Sequence, residues 1–163
     1  MNEITLYAEC IRTVVTYEAA SVRYTVDGKR LIQEICRRAD LKISEWNGEI
    51  AILPFTDIDG NFRIITMRLE NDGRVKFTAY SCAVFPRGKV PQAAVSVIRE
   101  VAGRHGRHAQ WEICSAQNLS GFSFSISLSW DGLDGPFTNW VCRQLLLEVG
   151  LADNFLRAER IIE

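Results

Sequence analysis

The sequence predicts an α+β protein built on an antiparallel sheet of about five strands. The clearest observation is the segment from Phe122 to Trp130, in which serine alternates with a large apolar residue without interruption. Side chains alternate between the two faces of a strand, so this segment has an apolar face and a serine face. Strands of this kind are typical of antiparallel sheets covered on one face. The second observation is the order of helical and alternating periods, α-β-β-β-α-β-β-α from residue 28 onward.

An N-terminal extension, residues 1–27, is predicted to precede a single domain over residues 28–163. Five apolar residues of the extension fall at helical spacing and favour a helix, although several residues nearby are β-branched and favour a strand. They are Ile4, Tyr7, Ile11, Val14 and Val15. A second helix is predicted over residues 28–39, because Asp27 offers an N-cap oxygen and an apolar stripe follows it.

Three long strands are predicted next. The Asn47-Gly48 dipeptide favours a type I′ hairpin, because asparagine and glycine tolerate positive φ angles. Residues 62–69 pair with residues 75–82 across Asn71-Asp72-Gly73, and Asp59-Gly60-Asn61 turns the chain between the two hairpins. These segments together predict a meander.

The second half of the chain is predicted to contain a helix, two strands and a final helix. Pro91 suits a first helical turn and opens the middle helix, which ends at Gly103 or Gly106. The serine-alternating strand follows a strand around Trp111. The final helix is expected to break at Gly150, with Asp153 capping a last helical piece.

Composition favours a soluble protein of the cytoplasm. The net charge is −1, the predicted pI is about 6.2, and no apolar stretch approaches the length that a bilayer requires. The start of the chain lacks the features of a secretory signal. Five well-separated cysteines fit a reducing compartment better than a disulfide framework. We therefore expect a cytoplasmic protein that does not bind membranes.

No motif predicts a catalytic, metal or cofactor site. His105 and His108 supply fewer ligands than zinc requires. The segment from Asp57 to Asn61 fails the spacing of a calcium loop and is interpreted as a turn. Serines and cysteines lack a nucleophile signature with a base in reach. The catalytic, metal and cofactor predictions are therefore all negative, and we expect that the protein is not an enzyme.

A nucleic-acid role is weighed on the basic residues and is not expected. Acidic residues slightly outnumber basic ones, 20 against 19, and no phosphate loop or aromatic RNA-binding pattern accompanies the basic residues. Most of the basic side chains are therefore interpreted as solvated surface. The basic residues considered are Lys29, Arg30, Arg37, Arg38, Arg87, Lys89, Arg99, Arg104 and Arg107.

From residue 28 onward the order of elements resembles the type III secretion chaperone-like fold, and in particular the bacterial YbjN family of sensory-transduction regulators. The local features of the resemblance are Val90-Pro91 opening the middle helix, Trp111-Glu112-Ile113 in the next strand, and a last strand leading into a helix with Trp140. The resemblance implies helices mainly on one face of the sheet, a homodimer, and function through binding of other proteins.

The function predicted is that of a non-catalytic regulatory or chaperone-like module that binds a protein partner. Its candidate contact residues are aromatic side chains near strand ends and the serine face of the last strand, although core packing or solvation is the preferred explanation for any one of them taken singly. They are Trp46, Phe55, Phe85, Ser123, Ser125, Ser127, Ser129 and Trp130. The alternatives are a small-ligand-binding protein or enzyme of unknown class and a weak nucleic-acid binder.

Overall fold

The structure is a computed structural model that describes residues 27–105 and 108–163. The predicted helix of the N-terminal extension lies outside these residues. Three helices are described: α1, Gly28–Arg38; α2, Gln92–Arg104; and α3, Gly135–Ala158. The predicted start of α1 is confirmed, since the Asp27 side chain accepts a hydrogen bond from the backbone N–H of Arg30 at 3.1 Å.

In the part of the chain that the structure describes, six strands form one antiparallel sheet in the spatial order β1-β2-β3-β4-β6-β5. A short 3₁₀ turn, Trp130–Gly132, connects the last strand to α3. The strands are β1, Glu45–Asn47; β2, Ile50–Thr56; β3, Phe62–Leu69; β4, Arg74–Pro86; β5, Gln110–Ala116; and β6, Leu119–Ser129.

The predicted fold class is confirmed, with one strand more than expected. The observed order is α-β-β-β-β-α-β-β-α, because the first hairpin contains a separate strand of only three residues, β1. Its turn also differs from the prediction. Asn47 pairs with Ile50, which leaves Gly48 and Glu49 as the turn residues, and only Gly48 has a positive φ angle, 59°. A type I′ turn requires a positive φ at both central residues, so that assignment was wrong.

The three helices pack on one face of the sheet, which we call the helix face. Phe122, Phe124 and Ile126 of β6 are buried there together with residues of all three helices, as the alternating pattern predicted. The opposite face, called the second face, carries a smaller buried cluster of Ile50, Ile52, Ile64 and Tyr80. The sheet therefore buries apolar side chains on both faces.

Helix α3 is continuous through Gly150, which corrects the predicted break. Val149 and Ala152 on either side of the glycine are fully buried. Tertiary packing of this kind outweighs the cost of one internal glycine, about 1 kcal/mol. Asp153 does not cap a helical piece either; it lies inside α3 with no exposed surface.

Candidate functional site

A groove of about 700 Å³ opens where β5, β6 and the start of α3 meet. We call it the edge groove. Its walls combine aromatic side chains from the helix face with polar side chains from the second face. The lining residues are Glu70, Asp72, Arg74, Lys76, His108, Gln110, Trp111, Glu112, Ser125, Ile126, Ser127, Leu128, Phe137 and Trp140.

The groove exists because β6 extends past the strand beside it. Pairing between β5 and β6 begins at Gln110 and Ser125, so within the described residues no strand pairs with the β5 side of β6 from residue 126 to residue 129. The residues just before β5 do not pair with β6. The backbone N–H groups of His108 and Ala109 instead donate hydrogen bonds to the carboxylate of Glu148 in α3, at 3.2 and 2.9 Å. The result is a short open strand edge.

Three aromatic rings line the helix-face wall of the groove. Phe137 and Trp140 stack with their ring centroids 5.6 Å apart and an interplanar angle of 10°. His108 meets Trp140 edge to face at 4.9 Å. Phe137 and Trp140 each keep 36% of their surface exposed. The wall therefore offers a fixed aromatic surface to an apolar side chain.

Charged groups of both signs line the other wall. Ser127 donates from its hydroxyl to Glu70 at 2.6 Å and accepts from the Arg74 guanidinium at its backbone oxygen, 3.0 Å away. Lys76 lies 3.7 Å from Glu112 across the strands. The Glu112 side chain is 60% exposed and that of Lys76 17%, so solvent reaches this ion pair mainly from the side of the glutamate.

The structure places part of the predicted contact set at this groove. Ser125 and Ser127 line it. Ser129 and Trp130 follow directly along the chain and are exposed, Trp130 to 50%. Ser123, in contrast, is only 2% exposed. A partner would reach Ser123 only after a rearrangement, whereas the other serines and the tryptophan are accessible.

The other predicted aromatic residues lie elsewhere and do not form one surface with Trp130. Trp46 belongs to the edge strand β1, and Phe55 lies near the end of β2. Phe85 packs edge to face against Phe122 with ring centroids 6.4 Å apart. All three are half-buried against the main core, as expected of side chains that close a core.

His108, Phe137 and Trp140 were missed as contact residues. Phe137 and Trp140 were placed in the last helix with no contact role, although their i, i+3 spacing close to the Gly135-Pro136 start indicates a shared patch on the first turn. His108 carries no local signal, because its contacts, Glu148 and Trp140, are 40 and 32 residues away in the sequence.

A second polar site, which we call the buried ion cluster, lies between the β2–β3 turn and α3. The Arg63 guanidinium donates to Asp57 at 3.0 Å and forms an ion pair with Asp153. Asp153 also accepts from the Ser81 hydroxyl and from the backbone N–H of Cys82. The side chains of Arg63, Asp57 and Asp153 are at most 5% exposed. A buried cation shared by two carboxylates ties the turn to the helix.

The environment of Asp57 lowers the pKa of its carboxyl group. Burial alone would raise it, but the backbone N–H of Asn61, the Arg63 guanidinium and the Asn61 amide all donate to the carboxylate and together lower the pKa below the ordinary 3.8. The folded protein therefore holds Asp57 charged under mildly acidic conditions.

We expect an acid-dependent loss of stability from Asp57. Its folded pKa is lower than its unfolded pKa of 3.8, so the stabilisation is complete above the unfolded value and is lost as the pH falls through the folded one. Urea unfolding of wild type and Asp57→Asn should differ by a constant free energy above about pH 5 and converge below about pH 4. Asp59→Asn in the same turn is the control. A difference that persists unchanged to pH 2.5 would contradict the assignment.

Three cysteine thiols are held protonated at neutral pH. Burial raises the pKa of Cys36, Cys82 and Cys142 to about 12; at Cys82 the nearby Asp153 carboxylate adds to the shift. A thiol must ionise to act as a nucleophile.

Within the described part of the chain, no three or more His, Cys, Asp or Glu side chains group closely enough to hold a metal ion.

Several of the basic residues considered for nucleic-acid binding are paired with acids. Arg37 and Arg38 both contact Glu34, at 2.8 and 2.9 Å, and Arg104 contacts Glu100 at 2.9 Å. The hydrogen bonds from the two arginines lower the pKa of Glu34 to about 2. This pairing agrees with the interpretation of the basic residues as solvated surface.

Comparison with known proteins yields a structural relationship and no sequence family. No family model matches the chain, and no curated protein matches it. A solved structure does. The fold resembles that of E. coli YbjN. That crystal structure is described as of "a putative transcription regulator"; it superposes with a TM-score of 0.58 over 83% of this chain and 95% of YbjN, at 13% identity. At this identity the likeness shows the fold alone, and membership of the YbjN family stays a prediction.

The helices of the described residues show no membrane-crossing candidate, because none combines sufficient length with sufficient apolar character.

Proposed function

We propose that this protein is a non-catalytic regulatory or chaperone-like module that binds an extended segment of another protein in the edge groove. The observation that carries the proposal is the open edge of β6, residues 126–129, beside exposed aromatic rings. An added strand forms backbone hydrogen bonds along such an edge, and adjacent pockets select its side chains. This mode needs no reactive residue.

The aromatic wall supplies the energy of this contact. Aromatic side chains dominate binding where they are fixed and become desolvated in a complex. Trp140 meets both conditions, because Phe137 stacks on one side of it, His108 meets its ring, and more than a third of its surface is exposed. The matching partner segment carries a large apolar side chain on the side that faces Trp140.

The polar wall determines which residues suit the other side of the bound segment. Side chains alternate along an added strand, so a residue next to the apolar one would face Lys76, Glu112 and Ser125. A polar or charged residue suits that wall. The partner is therefore an amphipathic extended segment with alternating apolar and polar residues. The regulatory description of YbjN agrees with a protein-binding role.

The test is a selection of 12-residue peptides from a random display library on the full-length protein. The best peptide should bind Trp140→Ala about 30-fold more weakly than wild type, as expected for a hot-spot aromatic residue worth about 2 kcal/mol. Phe155→Ala is the matched control, because Phe155 is an equally exposed aromatic residue of the same helix outside the groove. Equal binding to all three proteins would exclude the groove as the site.

Backbone methylation tests the strand-addition part of the proposal separately. N-methyl groups placed at alternate residues of the selected peptide block backbone donors on one edge only. One set of alternate positions should abolish binding and the other set should be tolerated. Tolerance of both sets would mean that the groove binds side chains without strand pairing.

A small ligand is the second candidate, since a volume of about 700 Å³ also suits a metabolite. In a thermal-shift screen a specific small ligand would raise the melting temperature of wild type and not that of Trp140→Ala.

A further inference from the structure

A second groove, of about 410 Å³, lies between the β2–β3 turn and the middle of α3. We call it the turn groove; residues 56–59 form one wall and a stripe of α3 side chains forms the other. It shares no lining residue with the edge groove. A volume of this size is typical of sites that bind small molecules. The turn groove is therefore a separate candidate site.

The α3 wall is mainly apolar and has a polar residue at each end. Its side chains are spaced three or four residues apart, so they lie on one side of the helix. The stripe runs from Arg143 to Asn154, which are about 16 Å apart along the helix axis. Between these ends lie Leu146, Leu147 and Leu151, together with Gly150. The wall is thus a leucine stripe with a cation at one end.

The turn wall holds an apolar side chain in water. Ile58 is 86% exposed and Leu147 is 50% exposed, and within the described residues they are the two most exposed large aliphatic side chains. Hydrogen bonds fix the turn, because the Asp57 carboxylate accepts from the backbone N–H groups of Asp59 and Asn61 at 3.0 and 2.8 Å. An apolar ligand in the groove would remove both aliphatic side chains from water, which favours binding.

The charges at the groove favour an anionic ligand. Asp57 already contacts Arg63 at 3.0 Å. Asp59 is explained as a turn residue, because it precedes Gly60, whose φ angle is 81°. Arg143 is exposed, and none of the ion pairs within residues 27–105 and 108–163 includes it. A guanidinium pairs with a carboxylate through two parallel hydrogen bonds.

We propose that the turn groove binds a medium-chain aliphatic carboxylate. The carboxylate pairs with the Arg143 guanidinium, and the hydrocarbon chain lies between the leucine stripe and Ile58. An extended chain of about eight to ten carbons is about 8–11 Å long, so it fits within the stripe. This site is independent of the proposed partner segment in the edge groove.

A titration of the isotope-labelled, full-length protein with octanoate, followed by amide chemical shifts, tests the proposal. We expect saturable shifts concentrated in residues 56–59 and 143–154. Octanol has the same chain without a charge and should bind about tenfold more weakly, because it loses the charge-assisted hydrogen bonds. Octylammonium should bind more weakly still. Shifts concentrated elsewhere, no saturation, or octylammonium binding as tightly as octanoate would overturn the proposal.

Three variants of exposed residues separate the head-group contact from the apolar contact. Arg143→Gln should weaken octanoate binding about tenfold and leave octanol binding unchanged. Arg99→Gln is the matched control, because Arg99 is an exposed arginine of α2 outside the groove, and it should change neither. Ile58→Ala should weaken both ligands about fivefold, because it removes apolar contact area. Equal effects of the two arginine variants on octanoate, or an unchanged affinity in Ile58→Ala, would contradict the assignment. Either result leaves the edge groove unaffected, because the two grooves have no lining residue in common.

Discussion

Replacing Asp153 with alanine is expected to lower the free energy of unfolding by about 3–5 kcal/mol. The substitution removes one of the two carboxylates that contact Arg63 and leaves the Ser81 hydroxyl and the Cys82 backbone N–H without this acceptor. Buried polar groups that lose a partner carry their full desolvation cost. Asp57 still contacts Arg63, so the guanidinium is not left isolated. Urea unfolding followed by far-UV circular dichroism measures the change.

Two further variants locate the origin of that loss. Asp153→Asn keeps an acceptor oxygen and nearly the same volume, so it should retain part of the stability that alanine loses. Glu34→Ala also removes a carboxylate shared by two arginines, but that cluster is exposed. The urea midpoint of Glu34→Ala should therefore stay close to that of wild type. If Asp153→Ala and Glu34→Ala lower the urea midpoint equally, burial is not the reason that the buried ion cluster stabilises the protein.

Local sequence patterns predicted most of the fold, because the pattern that identifies each strand or turn lies within a few residues. Serine alternation in β6 defines its two faces. Glycines in the β2–β3 and β3–β4 turns, Gly60 and Gly73, have φ angles of 81°, as their Asp-Gly contexts predicted. The hairpin around Asn47-Gly48 was also predicted, but its first strand, β1, has only three residues, too few for their period to locate the turn, which lies one residue later than expected.

The two polar sites were not predicted, because the residues that form each of them are far apart in the sequence. Asp153 after Gly150 gives a helix-cap signal locally, and that signal is overridden by Arg63, 90 residues away. The edge groove likewise combines β5, β6 and the first turn of α3. The serines of β6 were found because they belong to one strand; the aromatic wall opposite them, Trp140 above all, becomes visible only when tertiary packing brings α3 beside that strand.

Alanine at Gly135 and alanine at Gly150 are expected to change stability in opposite directions, although both glycines belong to α3. A Cβ atom at Gly135 would lie 2.5 Å from the backbone oxygen of Arg38 at the end of α1. The Asn139 amide also bridges the two helices by donating to the Ala39 oxygen at 2.9 Å. Backbone groups on both sides would have to shift, so Gly135→Ala should cost about 1–3 kcal/mol.

At Gly150 the nearest atoms to a new Cβ are the Arg63 and Asp57 side chains at 3.9 Å, which is ordinary van der Waals contact. Alanine loses less backbone entropy than glycine in a helix interior, so Gly150→Ala should stabilise the protein by about 0.5–1 kcal/mol. Thermal and urea unfolding of the two variants beside wild type measure both signs. Destabilisation by Gly150→Ala would mean that the added methyl group disturbs the buried ion cluster, and the double variant Gly150→Ala with Asp153→Ala would then lose less than the sum of the two single changes.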